Sequence, residues 1–186
     1  EPLLDELVKT TPPDGIYAVL GNNDYERCTQ LIRETMRANG IQLLEDSTAS
    51  IHRGADSIIV WGANAYAGRY ATAPKRDGID IRMDKSELSS QTPGYKTSKD
   101  FVILLTHTPD YIEEPEANIA NLALAGHTHG GQVTFFGLYA PVTASKYGMR
   151  YRTGLKHNRH GIPIIISNGL GTSRRNIRFC APTDIV

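Results

Sequence analysis

Short apolar runs bounded by turn-forming residues recur along the chain and predict β-strands. The predicted strands cover residues 16–20, 41–44, 48–52, 57–61, 101–105, 121–125, 133–136 and 162–166. Helical spacing of the apolar positions predicts helices over 3–8 and 25–38, and Pro115 begins a third over 116–120. Residues 62–99 show no clear period and predict a loop-rich crossover with one short helix near 84–89. Strands that alternate with helices early and then dominate indicate a layered α/β domain with mixed sheets.

Length, charge and cysteine content limit the possible classes of protein. The 186 residues suit a single domain, 1–186, with a sizeable core. The chain has 20 lysine and arginine residues and 20 aspartate and glutamate residues, so its net charge is zero. A net charge of zero does not favour binding to nucleic acid or to an anionic membrane. No apolar run approaches the roughly 20 residues that span a bilayer, and we expect no secretory signal. Cys28 and Cys180 lie outside any Cys-x-x-Cys motif, and we expect two buried thiols in a reducing compartment.

The segment 126–132, Gly-His-Thr-His-Gly-Gly-Gln, carries the strongest chemical signal. It follows the apolar run 121–125, and its glycines predict a sharp turn with close backbone approach. His127 and His129 can point into one cavity where the backbone is irregular, and neutral imidazole is a common ligand of zinc, iron and manganese-type ions. The pair therefore predicts a metal site, against the alternative of two ordinary loop histidines.

Polar residues also follow the ends of other predicted strands. Asn22, Asn23 and Asp24 follow the strand at 16–20, His107 follows the strand at 101–105, and Asn168 follows the strand at 162–166. In open α/β sheets, ligands bind in the crevice outside the carboxyl ends of the strands. We therefore expect these residues to share one cavity with the two histidines, although Asn168 and its glycines are somewhat better explained by a turn.

The order Gly-Asn-x-Asp, then a histidine after a strand, then Gly-His-x-His resembles the calcineurin-like metallophosphoesterases. The resemblance runs from Tyr17 to about Ala181, and its late part is similar to a bacterial phosphodiesterase branch with membrane-peripheral members. It implies a four-layer αββα sandwich and a centre of two divalent metal ions, with manganese, zinc, iron and magnesium not distinguished. It also implies a metal-activated water that attacks a small phosphorylated substrate, which by analogy can be membrane-peripheral. By this resemblance the ligands of one ion are Asn22, His107 and His127, and His129 binds the other.

One departure from the family pattern concerns catalysis. In most members the third residue of Gly-Asn-x-Asp is a histidine beside the leaving oxygen, and here it is Asn23. An amide can donate a hydrogen bond to phosphate but cannot deliver a proton, and general acid assistance is worth about 10²–10⁴-fold. The resemblance thus implies a slower enzyme, or one restricted to good leaving groups. Asp24 either orients Asn23 or caps the helix predicted to begin at Tyr25, and both roles are compatible.

A second departure concerns charge. Family members also carry Asp-x-His and Gly-Asp-x-x-Asp segments upstream, and neither occurs in this chain. The four remaining ligands are neutral, whereas hard cations favour oxygen ligands such as carboxylates. We therefore expect at most one weakly held, zinc-like ion, in a fold that lacks its first two strands. Such a fold would associate with another chain or with an upstream segment.

Two other functional classes remain open. The first is a non-catalytic or fragmentary remnant whose degenerate metal site supports the fold or a partner interface. The second is a metal-dependent amidohydrolase or β-lactamase-like hydrolase, which normally places His-x-His early in its domain and fits less well. A cytoplasmic or membrane-peripheral location is favoured over secretion.

We also predict the surroundings of several residues outside the motifs. We expect surface positions for His52, His157 and His160, and a substrate wall is possible around Tyr66 and Tyr70. A solvated charged face is favoured over phosphate contacts for three arginines, Arg174, Arg175 and Arg178.

Overall fold

The computed structural model describes residues 6–10, 12–26, 28–64 and 101–186, with the Glu26 side chain left out. The strands within these ranges are β1 Ile16–Ala18, β2 Ile41–Leu43, β3 Ser47–Arg53, β4 Asp56–Ala63, β5 Phe101–Thr106, β6 Leu122–Ala125, β7 Gly154–His157 and β8 Pro163–Ile166. Two α-helices, α1 Asn22–Glu26 and α2 Thr29–Ala38, lie between β1 and β2, and residues 6–8 are also helical. None of the described helices is both long and apolar enough to cross a lipid bilayer.

The strands form two sheets. β1 and β2 pair in parallel, and the remaining six form one sheet in the order β3-β4-β5-β6-β8-β7. The four inner strands of that sheet are parallel, while β3 and β7 pair antiparallel at its two edges. The carboxyl ends of β5, β6 and β8 therefore lie side by side at one edge. This arrangement confirms the predicted mixed α/β class.

The core lies against one face of the larger sheet. On β5, Val102 and Leu104 are buried at alternate positions, and on β8 Ile164 and Ile166 are buried in the same way. Period-two burial places these side chains on one face, where they pack with the fully buried Tyr151. The opposite residues of these strands are half-buried, except Phe101, which is exposed.

A close contact joins the two sheets. The Leu44 N–H, just past β2, donates to the Ala18 carbonyl of β1 over 2.8 Å. The Leu44 side chain then packs on Gly62 of β4, where an added Cβ would come within 2.2 Å of Leu44 Cβ. Only glycine allows this approach, which fixes the end of β1 relative to the larger sheet.

The predicted helix over 25–38 differs from the observed helices. α1 begins earlier, at Asn22, and α2 begins at Thr29 after Cys28 adopts a non-helical φ of −140°. The predicted stop is confirmed, because Asn39 forms the C-cap and Gly40 follows with a φ of +69°. The apolar period alone did not reveal the break at Cys28.

Several other local predictions are also wrong in detail. Residues 133–136 form only isolated bridges, and residues 115–119 form a 3₁₀-helix, Pro115–Ile119, after another at Pro109–Glu113. Each proline fixes a helical first turn, and each helix ends within five residues. The short, half-exposed β7 was not predicted because it lacks an apolar run. The predicted helix near 84–89 lies outside the described residues, as do Tyr66 and Tyr70.

The two cysteines are exposed free thiols rather than buried ones. Cys28 occupies the non-helical turn before α2, and Cys180 lies in an irregular segment with a φ of +49°. His52, His157 and His160 are exposed, as predicted.

Candidate metal centre

Three loops that follow strands converge at one place. Asn22 begins α1 shortly after β1, His107 directly follows β5, and His127 follows β6. The Gly126 N–H donates to the His107 carbonyl over 3.2 Å, so the ends of β5 and β6 stay paired. Parallel neighbours thus deliver two histidines from different strands to one edge of the sheet.

The three side chains meet at a single atom. His107 Nε2 lies 2.8 Å from Asn22 Oδ1 and 2.9 Å from His127 Nδ1. The two imidazole rings stand edge-on, with centroids 4.6 Å apart and planes at 64°. A neutral imidazole nitrogen has either one N–H or one lone pair, so without a metal ion the two neighbours would have to share it in a bifurcated hydrogen bond.

A divalent cation would satisfy this arrangement. Nitrogen and oxygen ligands sit about 2.0–2.2 Å from zinc-like ions, so donors that share one ion lie about 3 Å from each other. The two separations, 2.8 and 2.9 Å, are close to that spacing. Among the described residues no three His, Cys, Asp or Glu side chains cluster as metal ligands, and the third donor here is the amide oxygen of Asn22. The donors therefore fit one ion of borderline softness.

The surroundings of His107 keep its ring neutral. Burial is the largest cause, and together with the neighbouring His127 and His129 it lowers the pKa of His107 to about 4. The ring is therefore neutral at neutral pH, the form in which imidazole binds metals.

His129 contacts a backbone partner across the loop. Its Nδ1 lies 3.2 Å from the Gly171 carbonyl oxygen, which can only accept a hydrogen bond. The Nδ1–H is therefore the donor, as is common in histidines that bind a metal through Nε2.

Arg178 fixes the loop that orients His129. Its guanidinium donates to the carbonyls of Gly171, His129 and Asn168 over 3.1, 3.3 and 2.7 Å. The expectation of a solvated charge is thus wrong for Arg178, which is half-buried among carbonyl oxygens, while Arg174 and Arg175 are exposed. No local pattern marks this role, because its partners lie up to 49 residues away in the chain.

The backbone of the histidine loop is strained. His127, His129 and Gln132 adopt positive φ values of 70°, 51° and 56°. Each such non-glycine residue costs about 1–3 kcal/mol, and the strain persists only where the surrounding structure enforces it. Outliers of this kind cluster at functional sites.

Buried contacts enforce that conformation. The buried Thr128 hydroxyl donates to the Arg152 carbonyl over 2.6 Å. At Gly130 an added Cβ would lie 2.5 Å from Asn168 Oδ1, and at Gly131 it would lie 2.3 Å from Ala140 Cβ. The predicted sharp turn with close backbone approach is therefore present. Asn168 supports it from the buried side, since its Oδ1 also accepts from Thr153.

Asp24 and Asn23 differ in their surroundings. The Asp24 carboxylate accepts a hydrogen bond from the Gly21 N–H over 2.7 Å. The predicted N-cap role before Tyr25 is wrong, because α1 begins at Asn22 and Asp24 is its third residue. The contact is instead the bond of a capping box that runs from the third helical residue back to the N–H of the residue before the helix. Asn23 is exposed on the first turn. Orientation of Asn23 by Asp24 stays a prediction.

Gly21 is a site residue that the sequence analysis missed. An added Cβ there would lie 2.7 Å from His107 Cε1 and 2.8 Å from its Nδ1. The bare backbone of Gly21 thus forms the surface against which the His107 ring rests. The only sequence signal was the glycine directly before Asn22.

We predict that Gly21→Ala displaces the His107 ring. The added methyl group overlaps the imidazole, so Nε2 loses its contacts with Asn22 and His127. Nitrogen NMR of the histidine side chains should show altered shifts for His107 and His127. Gly126→Ala is the matched control, because its added Cβ would lie 4.0 Å from the nearest atom. Unchanged His107 shifts in Gly21→Ala would contradict the packing described here.

Comparison with curated proteins finds relatives named metallophosphoesterases. The chain is 29% identical over 184 residues to an "Uncharacterized metallophosphoesterase" of Aquifex aeolicus, across 99% of this chain and 64% of the relative. It is 29% identical over 180 residues to the "Uncharacterized metallophosphoesterase YkoQ" of Bacillus subtilis, across 94% of this chain and 60% of the relative.

A third relative, the "Uncharacterized metallophosphoesterase YkuE" of Bacillus subtilis, is 32% identical over 131 residues, across 67% of this chain and 45% of the relative. The chain thus spans less than two thirds of the length of each of these relatives. No protein-family model and no solved structure matches the chain significantly.

Proposed function

The chain is a relative of the metallophosphoesterases, and from this relationship we propose that it hydrolyses phosphoester bonds with a divalent metal ion. Asn22, His107 and His127 would hold the ion. One observation carries the proposal. Asn22 Oδ1 lies 2.8 Å from His107 Nε2, and His127 Nδ1 lies 2.9 Å from the same atom. His129, with the lone pair of its Nε2 unused by Gly171, would serve a second ion.

A bound divalent ion would supply charge to stabilise the phosphoryl oxygens and to activate a water near neutral pH. The chain's own residues would hold the metal ligands in place. Gly21 and the paired ends of β5 and β6 hold His107 and His127 at the spacing that an ion needs. Arg178 and His129 both bind the Gly171 carbonyl, and this shared partner would orient the His129 ring. Rigid positioning of this kind reduces the reorganisation that a reaction requires.

The donor set supports a borderline-soft ion more than a hard one. Two imidazole nitrogens and one amide oxygen carry no formal charge, whereas Mg²⁺ prefers carboxylates and water. Zinc accepts nitrogen ligands readily. We therefore propose zinc-like binding by this chain.

Asn23 supports a restricted substrate class. It is exposed at the start of α1, one residue after Asn22, where its amide would donate a hydrogen bond to a phosphate oxygen. Because an amide cannot protonate a leaving group, small phosphorylated compounds with stable leaving groups are the proposed substrates. Aryl phosphodiesters and pyrophosphates meet that condition.

Removal of one ligand tests the proposal. We expect His127→Ala to lose about one equivalent of bound zinc and to hydrolyse an aryl phosphodiester at least about 100-fold more slowly. Elemental analysis and the release of the phenol measure the two effects. His160→Ala is the control, since His160 is exposed and its ring contacts Arg159 on the surface.

Three results would separate the competing functions. Full metal content and turnover in His127→Ala would contradict the assigned ligands. Zinc binding by the unaltered chain without any turnover would contradict the hydrolase and favour the non-catalytic alternative. Loss of both properties in His160→Ala as well would point to a folding defect, which circular dichroism would reveal.

Substitution Asn23→His tests the reason for the restricted substrate class. An imidazole can protonate the leaving oxygen, so hydrolysis of an alkyl phosphodiester should rise by up to about 10²–10⁴-fold. Hydrolysis of an aryl ester should change little, since its leaving group needs no proton. Asn23→Gln is the matched control because it keeps an amide. If neither ester responds to Asn23→His while the metal content is unchanged, Asn23 does not occupy the acid position.

A further inference from the structure

Residues 133–135, which follow the histidine loop, form an extended segment whose apolar side faces solvent. Thr134 is 1% exposed, and its hydroxyl donates to the Cys180 carbonyl over 2.6 Å. Its neighbours Val133 and Phe135, on the opposite side, are 43% and 59% exposed. This is the reverse of the usual pattern, in which the polar side of an edge segment faces water.

A tight turn extends this apolar side into solvent. The Phe135 N–H donates to the Tyr139 carbonyl over 2.7 Å, and the two rings stack with centroids 6.3 Å apart. At the tip, Phe136 and Leu138 are 88% and 80% exposed, on either side of Gly137. Phe136 has a φ of +52°, a costly conformation for an aromatic residue.

We call the exposed surface formed by this hairpin and the segment beside it the apolar face. Phe179 borders it, because Val133 and Phe179 form a parallel bridge and Phe179 is exposed. The members that define the face are Val133, Phe135, Phe136, Leu138, Tyr139 and Phe179. Exposed apolar surfaces of this kind mark contacts with a partner protein or a membrane.

The distribution of charge distinguishes between those partners. Although the chain has no net charge, residues 117–183 contain eight Lys or Arg residues and no Asp or Glu. The tip itself is uncharged, since residues 126–145 contain none of these four residue types. Three of the eight, Lys146, Arg150 and Arg159, pair with Glu113 or Glu114, so the charge that bears on the tip is that of the exposed Arg174 and Arg175.

Two of the basic residues lie beside the apolar face. The Gln132 side chain, at the base of the hairpin, donates to the carbonyls of Ser173 and Arg175 over 3.1 and 2.9 Å, and accepts from the Ser173 N–H over 2.7 Å. These bonds hold the loop that carries the exposed Arg174 and Arg175 against the hairpin. The result is an uncharged, aromatic tip with a basic rim.

We propose that the apolar face docks on the surface of an anionic phospholipid bilayer. Phe136 and Leu138 enter the boundary between headgroups and acyl chains, and Arg174 and Arg175 contact the lipid phosphates. Apolar insertion combined with a basic rim is the general basis of interfacial binding. Two side chains exposed at a narrow turn suit a fluid surface better than a flat protein interface.

Docking in this way would bring the candidate metal centre towards the lipid surface. The same glycine-rich loop that carries Arg174 and Arg175 also provides the Gly171 carbonyl that binds His129. The docking proposal nevertheless stands apart from the proposed hydrolysis, because lipid binding can be measured without turnover.

Co-sedimentation with vesicles tests the proposal. The chain should bind vesicles that contain phosphatidylglycerol at least about tenfold more tightly than vesicles of phosphatidylcholine alone, and less tightly in high salt. The double substitution Phe136→Ser with Leu138→Ser should weaken binding at least about tenfold, since it removes the inserted apolar side chains. Arg174→Gln with Arg175→Gln should reduce the preference for anionic lipid.

Leu155→Ser is the matched control. Leu155 is 60% exposed on β7, outside the apolar face, so its loss should leave vesicle binding unchanged. Because Phe136 and Leu138 are exposed, their substitution should also leave the circular dichroism spectrum and the thermal midpoint unchanged.

Three results would overturn the proposal. One is the absence of sedimentation with either vesicle. Another is equal binding by the Phe136/Leu138 variant and the unaltered chain, which would place the contact elsewhere. The third is a dimer in solution that this variant converts to a monomer, without vesicle binding, which would assign the apolar face to a second copy of the chain.

Discussion

His107 Nε2 contacts both Asn22 Oδ1 and His127 Nδ1. These contacts persist only if three separate chain segments keep their positions relative to one another. Without a metal ion, the single proton or lone pair of one imidazole nitrogen would have to be shared between these two neighbours. A cation bound by all three side chains would give each donor atom a partner of its own, which is the basis of the proposed metal centre.

Much of the surrounding structure serves to keep those segments in place. β5 and β6 run in parallel, so that His107 and His127 leave the sheet at the same edge. Leu44 packs on Gly62 and fixes the unit that carries Asn22 against the larger sheet. Around the histidine loop, Thr128 compensates for strained φ values through a buried hydrogen bond. Close packing explains why so many of these positions are glycine or a small residue.

The sequence predicted the parts that depend on local pattern. Apolar runs located β5, β6 and β8, and the polar residues after them identified His107, His127 and Asn168, because a strand and its end both have local signatures. The break at Cys28 and the outward apolar side of 133–135 were not predicted. The break at Cys28 is a local backbone turn with no apolar signature, whereas at 133–135 the buried bond of Thr134 to the Cys180 carbonyl turns the apolar side outward.

Roles that depend on contacts between residues far apart in the chain could not be predicted from the sequence. Arg178 donates to the backbone carbonyls of His129 and Asn168, which lie 49 and 10 residues away in the chain. A bond to a backbone carbonyl does not depend on the side chain of that residue, so no residue pattern indicates it. The equal numbers of acidic and basic residues concealed the exposed Arg174 and Arg175 beside the hairpin, because a total charge contains no information about position. The apolar face and its basic rim became visible only when exposure and contacts were known.

X-ray absorption at the zinc edge, on the chain loaded with one equivalent of zinc, tests the account most directly. It should show two imidazole ligands and at least one oxygen ligand at distances near 2.0–2.1 Å, which is about the range for such ligands. Substitution of either His107 or His127 should remove one imidazole from that pattern. A coordination shell of oxygen alone, or one that is indifferent to both substitutions, would contradict the claim that these side chains form a metal centre.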